Sequence, residues 1–164
     1  MPPTLHLICG KIAAGKSTLA QQLATHPATV LIREDKWLSQ LYPDQLRSLQ
    51  DYVRCSTLLR SAIDPHIQEL LRAGLSVVLD FPANTVNSRK WMRGIFEATG
   101  AAHQLHYLDV PNSECIRRLR LRNTEGTHEF SATDADFEEF TRYFVPPSPE
   151  EGFNVVIAGG SSGA

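Results

Sequence analysis

The chain reads Gly10-Lys11-Ile12-Ala13-Ala14-Gly15-Lys16-Ser17-Thr18 near its start, which satisfies the pattern G-x-x-x-x-G-K-[ST] in full. A short apolar run with strand character, residues 5–9, precedes this stretch, and residues 19–23 follow it with the apolar spacing of one helix face. Glycines let a backbone curl so that successive N–H groups point at anionic oxygens. A helix beginning at Lys16 directs its free N–H groups and positive dipole end to the same point. The stretch therefore predicts a phosphate-binding loop between a strand and a helix.

Individual residues of this loop have separate expected roles. Lys16 is expected to reach the β- and γ-phosphates of a nucleotide, and the Ser17 hydroxyl to take a coordination position on Mg²⁺. The alternative is a glycine-rich turn that carries a surface lysine. The sequence thus predicts ATP and Mg²⁺ as cofactors. The predicted nucleotide-binding residues are Gly10, Ala13, Ala14, Gly15, Lys16, Ser17 and Thr18.

Composition argues against nucleic-acid and membrane partners. The 164 residues include 16 Lys and Arg against 18 Asp and Glu, a formal net charge of −2, so no global basic field exists. The first residues show no basic segment ahead of an apolar one, and no stretch approaches the roughly 20 apolar residues of a membrane helix. Three cysteines, odd in number and without metal-site spacing, fit reduced thiols. We expect a cytoplasmic protein, and the oligomeric state stays open.

Strand and helix patterns alternate along the chain. Helical spacing covers residues 52–71, where Pro65 is expected to kink or split the helix and Gly74 to end it. Further helices are expected over 85–99, over 112–122 from an Asn112 cap, and after a Thr133 cap. The expected strands are residues 5–9, 30–32, 76–80, 104–108 and 153–157.

This alternation predicts an α/β fold in three layers, with helices on both faces of a five-stranded parallel sheet. Residues 1–158 are expected to form one domain. The polar stretch 123–133 is expected to be a mobile loop, and the Gly- and Ser-rich residues 159–164 a disordered tail.

Three carboxylates are candidate site residues because they follow strands, and chemistry in parallel sheets gathers at the carboxyl ends of strands. Asp35 follows the second strand and is the candidate general base for an attacking hydroxyl, with Glu34 as a weaker candidate. A plain helix N-cap is the alternative for Asp35. Asp80 ends the third strand and is a candidate for contact with Mg²⁺ or with the acceptor, the alternative being a turn residue before Pro82.

Arg118 and Arg122 are spaced i, i+4 and share a helix face that leads into the polar 123–133 stretch. Two guanidinium groups on a closing lid would neutralise charge on a transferring phosphoryl group, and we predict this catalytic role for both. The alternative is a solvated basic face, which is the favoured interpretation for Arg117 and Arg120.

At these residues the chain resembles the small P-loop kinases that include chloramphenicol phosphotransferase, zeta-type toxins and polynucleotide 5′-kinases. The resemblance spans residues 4–157 and includes Val78-Leu79-Asp80 with Arg89 downstream. It implies the P-loop NTPase fold with strand order 2-3-1-4-5 and a small arginine-bearing lid over about 118–134. It also implies that Asp35 is the general base and that Arg89 lies near phosphate or acceptor. The arginine that often follows the base in polynucleotide kinases is absent after Asp35.

These features predict an ATP-dependent kinase that phosphorylates a hydroxyl of a small acceptor. A polynucleotide 5′-kinase, a nucleotide-sugar kinase toxin and a nucleotide-dependent regulatory module are the alternatives. The predicted substrate-binding residues are Asp35, Asp80, Asn84 and Arg89.

Residues 125–151 carry an excess of acidic side chains over a single arginine, Arg142. Carboxylates beside the acceptor entrance would attract a cation, which favours a cationic acceptor such as an aminoglycoside and hence a role in antibiotic resistance. The alternative is a solvated acidic helix that keeps the protein soluble. The acidic residues are Glu125, Glu129, Asp134, Asp136, Glu138, Glu139, Glu150 and Glu151.

Overall fold

A computed structural model describes residues 2–126 and 132–158 of the chain. Five strands alternate with six helices in these ranges, and a short 3-10 turn at Pro149–Glu151 precedes the last strand. The strands are β1 (Thr4–Gly10), β2 (Thr29–Arg33), β3 (Ser76–Pro82), β4 (Ala102–Leu108) and β5 (Val155–Ala158). The helices are α1 (Lys16–Leu23), α2 (Glu34–Leu41), α3 (Leu49–Arg72), α4 (Val86–Thr99), α5 (Asn112–Glu125) and α6 (Asp134–Arg142).

The strands form one parallel sheet in the order β2-β3-β1-β4-β5, which confirms the predicted topology. At the centre of the sheet Leu7 of β1 lies between Leu79 of β3 and Leu105 of β4. Because all strands run the same way, their carboxyl ends lie along one edge. That edge carries the start of the phosphate-binding loop, the beginning of α2 and the residues after β3.

Helices cover both faces of the sheet, so the molecule has the three layers that the alternation predicts. On one face Leu5 and Leu7 pack with buried side chains of α3 and α4, among them Leu59 and Ile95. On the other face a second cluster joins the sheet to α1, α5 and α6. Its buried members are Ile8, Ala14, Ala20, Val78, Leu108, Val110, Cys115, Leu119 and Phe137.

Pro65 does not split its helix, contrary to one of the two expected outcomes. Helix α3 runs without a break from Leu49 to Arg72 and carries Pro65 inside it. The buried side chains Leu59, Ile63 and Ile67 hold the helix against the sheet on either side of the proline. This packing outweighs the single backbone hydrogen bond that a proline removes.

Helix α5 also differs from its predicted bounds. The N-cap residue is Pro111 rather than Asn112, with a φ of −60° that suits the start of a helix, and the helix continues to Glu125. The first part of the expected loop, residues 123–125, is therefore helical. Thr133 caps α6 as predicted, because its side chain accepts from the Asp136 N–H and Asp136 reciprocates.

Parts of the predicted lid and tail lie outside the described residues, namely 127–131 with Glu129 and the tail 159–164. No helix in the described part of the chain is both long and apolar enough to cross a bilayer.

Candidate active site

The phosphate-binding loop joins β1 to α1, and glycine is required at both its ends for different reasons. A Cβ atom on Gly10 would lie 3.1 Å from Leu108 Cβ and 3.2 Å from Ala14 Cβ, closer than ordinary packing. Gly15 is the N-cap residue of α1 with φ at +105°, a conformation that residues with a Cβ rarely adopt. The loop thus curls tightly, and α1 begins at Lys16 as the motif predicts.

The Lys16 ammonium is folded back onto the loop that carries it. Its Nζ donates to Gly10 O at 2.9 Å and to Lys11 O at 3.0 Å. An ammonium has three donors, so a third remains for an anion brought to the loop. Burial lowers the pKa of Lys16, and the Asp80 carboxylate opposes that shift. The Lys16 ammonium is therefore held against the phosphate-binding loop and partly removed from bulk water before any phosphate binds.

Ser17 and Asp80 meet although they are far apart in the sequence. The Ser17 hydroxyl donates to Asp80 Oδ2 at 3.0 Å, and Asp80 is 8% exposed. Burial raises the pKa of Asp80, while the Ser17 hydrogen bond and the Lys16 charge lower it. A hydroxyl and a desolvated carboxylate are hard oxygen donors, so this pair fits Mg²⁺. The two residues predicted to hold the metal are thus brought together.

Asp35 lies in the first turn of α2, at the same edge of the sheet. The helix begins at Glu34 with Arg33 as N-cap, so Asp35 is not the N-cap residue. Asp35 Oδ1 accepts from the Lys36 N–H at 2.8 Å, and its side chain is 36% exposed. A carboxylate in this position is accessible to an incoming hydroxyl.

Arg33 is a site residue that sequence reasoning missed. Its Nη2 lies 3.5 Å from Asp35 Oδ2 and its Nε lies 3.9 Å from Asp80 Oδ2. The guanidinium thus stands between the two candidate carboxylates and reduces their mutual repulsion. The sequence feature that could have indicated this role is the position of Arg33, which ends β2 and is followed directly by Glu34 and Asp35.

Glu34, the weaker candidate base, is instead part of a buried network. Its carboxylate accepts hydrogen bonds from the Tyr52 hydroxyl and, at 2.8 Å, from the Ser56 hydroxyl. Arg60 Nη2 lies 3.6 Å from it, and Glu34 is 4% exposed. Burial raises the pKa of this carboxyl. Its contacts fasten α2 to α3, which fixes the position of the neighbouring Asp35.

The arginines of α5 separate into two pairs, as the helical spacing predicts. Arg118 Nη1 donates to Ala14 O in the phosphate-binding loop at 3.3 Å, and its Nε donates to Glu114 at 2.9 Å. Arg122 Nε is buried with no hydrogen-bond partner among the described residues. Burial lowers the pKa of Arg122, and the charge of Asp35 opposes that shift. The other pair, Arg117 and Arg120, is exposed and bound to Glu114 and Asp134.

Asn84 and Arg89, predicted to bind substrate, make contacts within the protein. The Asn84 side chain is hydrogen-bonded to the backbone of Gly10 at both of its polar atoms. Arg89 is fully buried; its Nε donates to Glu151 at 2.7 Å and its Nη1 to Ala83 O at 2.9 Å. These bonds occupy the guanidinium, and contact between either residue and a substrate stays a prediction.

Several carboxylates of the acidic stretch 125–151 also form ion pairs or hydrogen bonds within the protein. Asp134 pairs with Arg120, Asp136 completes the cap of α6, and Glu151 pairs with Arg89. Besides Asp134, the exposed members on described residues are Glu125, Glu138, Glu139 and Glu150. The local negative charge is therefore smaller than the sequence count suggests.

One sequence-family model matches most of this chain. The sequence model of the AAA domain family matches residues 5–147, which contain the loop, both carboxylates and the arginines of α5. A search of curated proteins found no match.

Solved structures share the fold at low sequence identity. Chaetomium thermophilum Kti12 in complex with ADP-AlF3 has a TM-score of 0.71 and 15% identity, covering 94% of this chain and 88% of its own. Mycobacterium tuberculosis APS kinase CysC, in complex with AMPPNP and APS, has a TM-score of 0.61 and 18% identity. The match covers 95% of this chain and 88% of that one. A chain of the Pnkp1/Rnl/Hen1 RNA repair complex has a TM-score of 0.64 and 21% sequence identity. The match covers 86% of this chain but only 43% of that one. The similarity shows a shared kinase-like P-loop fold.

Proposed function

Since this chain belongs to the AAA domain family and has a kinase-like P-loop fold, we propose that it is an ATP- and Mg²⁺-dependent kinase acting on a hydroxyl of a small acceptor. The observation that carries the proposal is the position of Asp35. An accessible carboxylate stands at the same sheet edge as the loop, joined through Arg33 to the buried Asp80. Nucleotide binding alone does not require such a group.

In the proposed reaction the loop binds the nucleotide through its backbone N–H groups and Lys16. Arg118 and Arg122 approach the transferring phosphoryl group from α5 and neutralise charge that spreads over its oxygens. Ser17 and Asp80 are the residues that would hold the metal, which when bound supplies further charge neutralisation at the phosphates.

Asp35 is the proposed general base. Its carboxylate accepts the proton of the acceptor hydroxyl while the hydroxyl oxygen forms a bond to the γ-phosphorus. The bond between that phosphorus and the bridging oxygen of ADP breaks in the same step, and ADP leaves with the electron pair. The products are a phosphate monoester, ADP and a proton on Asp35.

For the acceptor we propose a cationic compound such as an aminoglycoside, which would make the protein a resistance kinase. In this proposal the exposed carboxylates Glu138 and Glu139 of α6 lie near the acceptor entrance, where their negative charge would raise the local concentration of cations. Growth of expressing bacteria on aminoglycosides and on chloramphenicol tests this point separately. If no cationic compound is phosphorylated, the acceptor assignment fails while the kinase proposal stands.

The reaction itself is tested by transfer of ³²P from labelled ATP to a panel of antibiotics, sugars, nucleosides and 5′-hydroxyl oligonucleotides. A true acceptor should raise the rate of ADP formation above that of a slow basal hydrolysis of ATP. We expect Lys16→Ala to lose nucleotide binding or turnover, and Asp35→Asn to bind ATP but lose roughly 10²–10⁴-fold in turnover. Lys90→Ala, at an exposed lysine of α4, is the control. Full activity of Asp35→Asn would move the base elsewhere, and transfer only to oligonucleotides would make the protein a polynucleotide kinase.

A further inference from the structure

Asn84 follows β3 at the carboxyl edge of the sheet and contacts the first residue of the phosphate-binding loop. Its Oδ1 accepts from the Gly10 N–H at 2.9 Å, and its Nδ2 donates to Gly10 O at 2.8 Å. We infer that Asn84 is a positioning residue of the nucleotide site, whose side-chain amide fixes Gly10 and through it the Lys16 ammonium. The inference rests on the proposed nucleotide site and is independent of the acceptor.

The Gly10 carbonyl is the link between Asn84 and Lys16. That oxygen accepts from Asn84 Nδ2 and also from Lys16 Nζ, at 2.9 Å. A carbonyl held by Asn84 presents a fixed acceptor, and this fixes where the lysine ammonium lies. Without the amide, the Gly10 carbonyl at the end of β1 loses one of its donors, and the direction of Lys16 is less well defined.

Glycine suits position 10 because space there is tight. A Cβ atom at this position would lie 3.1 Å from Leu108 Cβ and 3.2 Å from Ala14 Cβ, so a side chain would require these neighbours to shift by a few tenths of an ångström. Glycine has the greatest backbone freedom of any residue, and the loop would lose binding energy in ordering it. A primary amide offers one donor and one acceptor side by side, which matches the N–H and C=O of one residue.

Asn84 is itself held firmly enough to act as an anchor. The preceding Ala83 N–H donates to Ile8 O at 3.0 Å, and the Val145 N–H donates to Asn84 O at 2.8 Å. Val145 O in turn accepts from the buried Arg89 at 2.8 Å. The backbone that carries the Asn84 side chain is therefore attached to β1, to β3 and to the segment after α6. Such support from surrounding contacts is what holds a binding loop ready for its ligand.

The test compares nucleotide binding with acceptor binding in Asn84 variants. We expect Asn84→Ala to weaken the Kd for a fluorescent ADP analogue about 10-fold, since it leaves the N–H of Gly10 without a partner and its carbonyl with one fewer. The KM for ATP should rise similarly while the KM for the acceptor stays the same. The nucleotide-free Tm should fall by a few degrees, because the buried Gly10 loses two hydrogen bonds, so the binding constants are compared at a temperature well below both unfolding transitions. Asn87→Ala, at an exposed asparagine three residues away, should behave as wild type.

Asn84→Asp is the second variant, because aspartate has nearly the same shape and keeps the fold. It retains an acceptor for the Gly10 N–H but turns a carboxylate oxygen towards Gly10 O, so its Kd should be at least as weak as that of Asn84→Ala. An unchanged nucleotide Kd in both variants, or a raised acceptor KM alone, would overturn the inference. Failure of the wild-type protein to bind the analogue would overturn the proposed function instead.

Discussion

At the scale of single residues, Arg89 is the least exposed charged side chain among the described residues, and it forms an ion pair with Glu151. Arg89 Nε and Nη2 lie 2.7 and 3.1 Å from the two carboxylate oxygens, and the arginine has no exposed surface. Its Nη1 also donates to Ala83 O and Val145 O. The pair thus attaches the segment before β5 to the end of β3, which also carries Asn84.

We expect Arg89→Met to destabilise the protein by roughly 2–4 kcal/mol, since it takes the buried guanidinium away from two backbone carbonyls and from the Glu151 carboxylate, which keeps only the Ser148 donor. Urea unfolding followed by circular dichroism measures the loss. Arg117→Met removes an arginine that is 63% exposed and paired with Glu114, so it should change the unfolding free energy far less. Equal effects of the two substitutions would show that the buried pair does not hold this segment.

Residue roles were only partly predictable from the sequence. The loop motif predicted the places of Lys16 and Ser17 beside the loop, because local spacing determines where they lie. The partners of Asn84 and Arg89 lie 74 and 62 positions away, at Gly10 and Glu151. Such contacts depend on which strands are neighbours and on exact side-chain reach, and neither has a signal in local composition.

At the scale of elements, α5 presents two arginines to the phosphate-binding loop and two to solvent. The side chain of Arg118 is 19% exposed, against 63% for Arg117 and 68% for Arg120. Arg122 shares the inner face, and its buried Nε has no partner within the described ranges. This division matches the i, i+4 prediction.

We expect Arg122→Ala to lower kcat by on the order of 10²-fold, since it removes charge stabilisation at the transferring phosphoryl group. Nucleotide Kd should change only a few-fold, since Lys16 and the loop remain. Arg117→Ala on the outer face is the matched control and should keep full turnover. Steady-state kinetics with a fluorescent binding assay separates the two effects. A large loss of nucleotide affinity without a loss of kcat would assign Arg122 to ground-state binding.

Element boundaries were less predictable than element types. The alternating apolar patterns located all five strands, but α3 continues through Pro65 and α5 continues to Glu125. The continuation of α3 depends on tertiary packing against the sheet, which a local breaker signal does not measure. The last turn of α5 is exposed at Thr124 and Glu125, and the helix ends at Gly126 in the left-handed conformation, a local signal that marks its end.

At the scale of the whole molecule, the parallel order β2-β3-β1-β4-β5 assembles the site. It brings β1 beside β3, so that Ser17 and Asp80, 63 positions apart, lie within hydrogen-bond distance. The resemblance to small P-loop kinases predicted this order, and the strand-then-aspartate pattern predicted the carboxylate. The pairing of β1 with β4 had a further consequence that the sequence did not reveal.

That pairing brings two histidines together on one face of the sheet. His6 Nδ1 and His106 Nε2 lie 3.0 Å apart, so one ring donates its proton to the other. Burial lowers the pKa of His6 to about 4, with the His106 charge and the His26 charge adding to the shift. Burial lowers the pKa of His106 as well. Both rings are therefore neutral in the folded protein at pH 7.

A folded pKa below the unfolded value of 6.5 means that the unfolded chain binds the proton more readily. The contribution of His6 to stability is thus fully present above pH 6.5 and is lost as the pH falls towards about 4. We expect a loss of roughly 1–2 kcal/mol between pH 7.5 and 5, discounted because the ring is only half-buried. Urea unfolding at the two pH values measures it. His6→Phe removes the titrating ring, so its unfolding free energy should change less over the same interval. An equal pH dependence in this variant and in the wild type would show that His6 is not the source, because His106 and the carboxyl groups are common to both proteins.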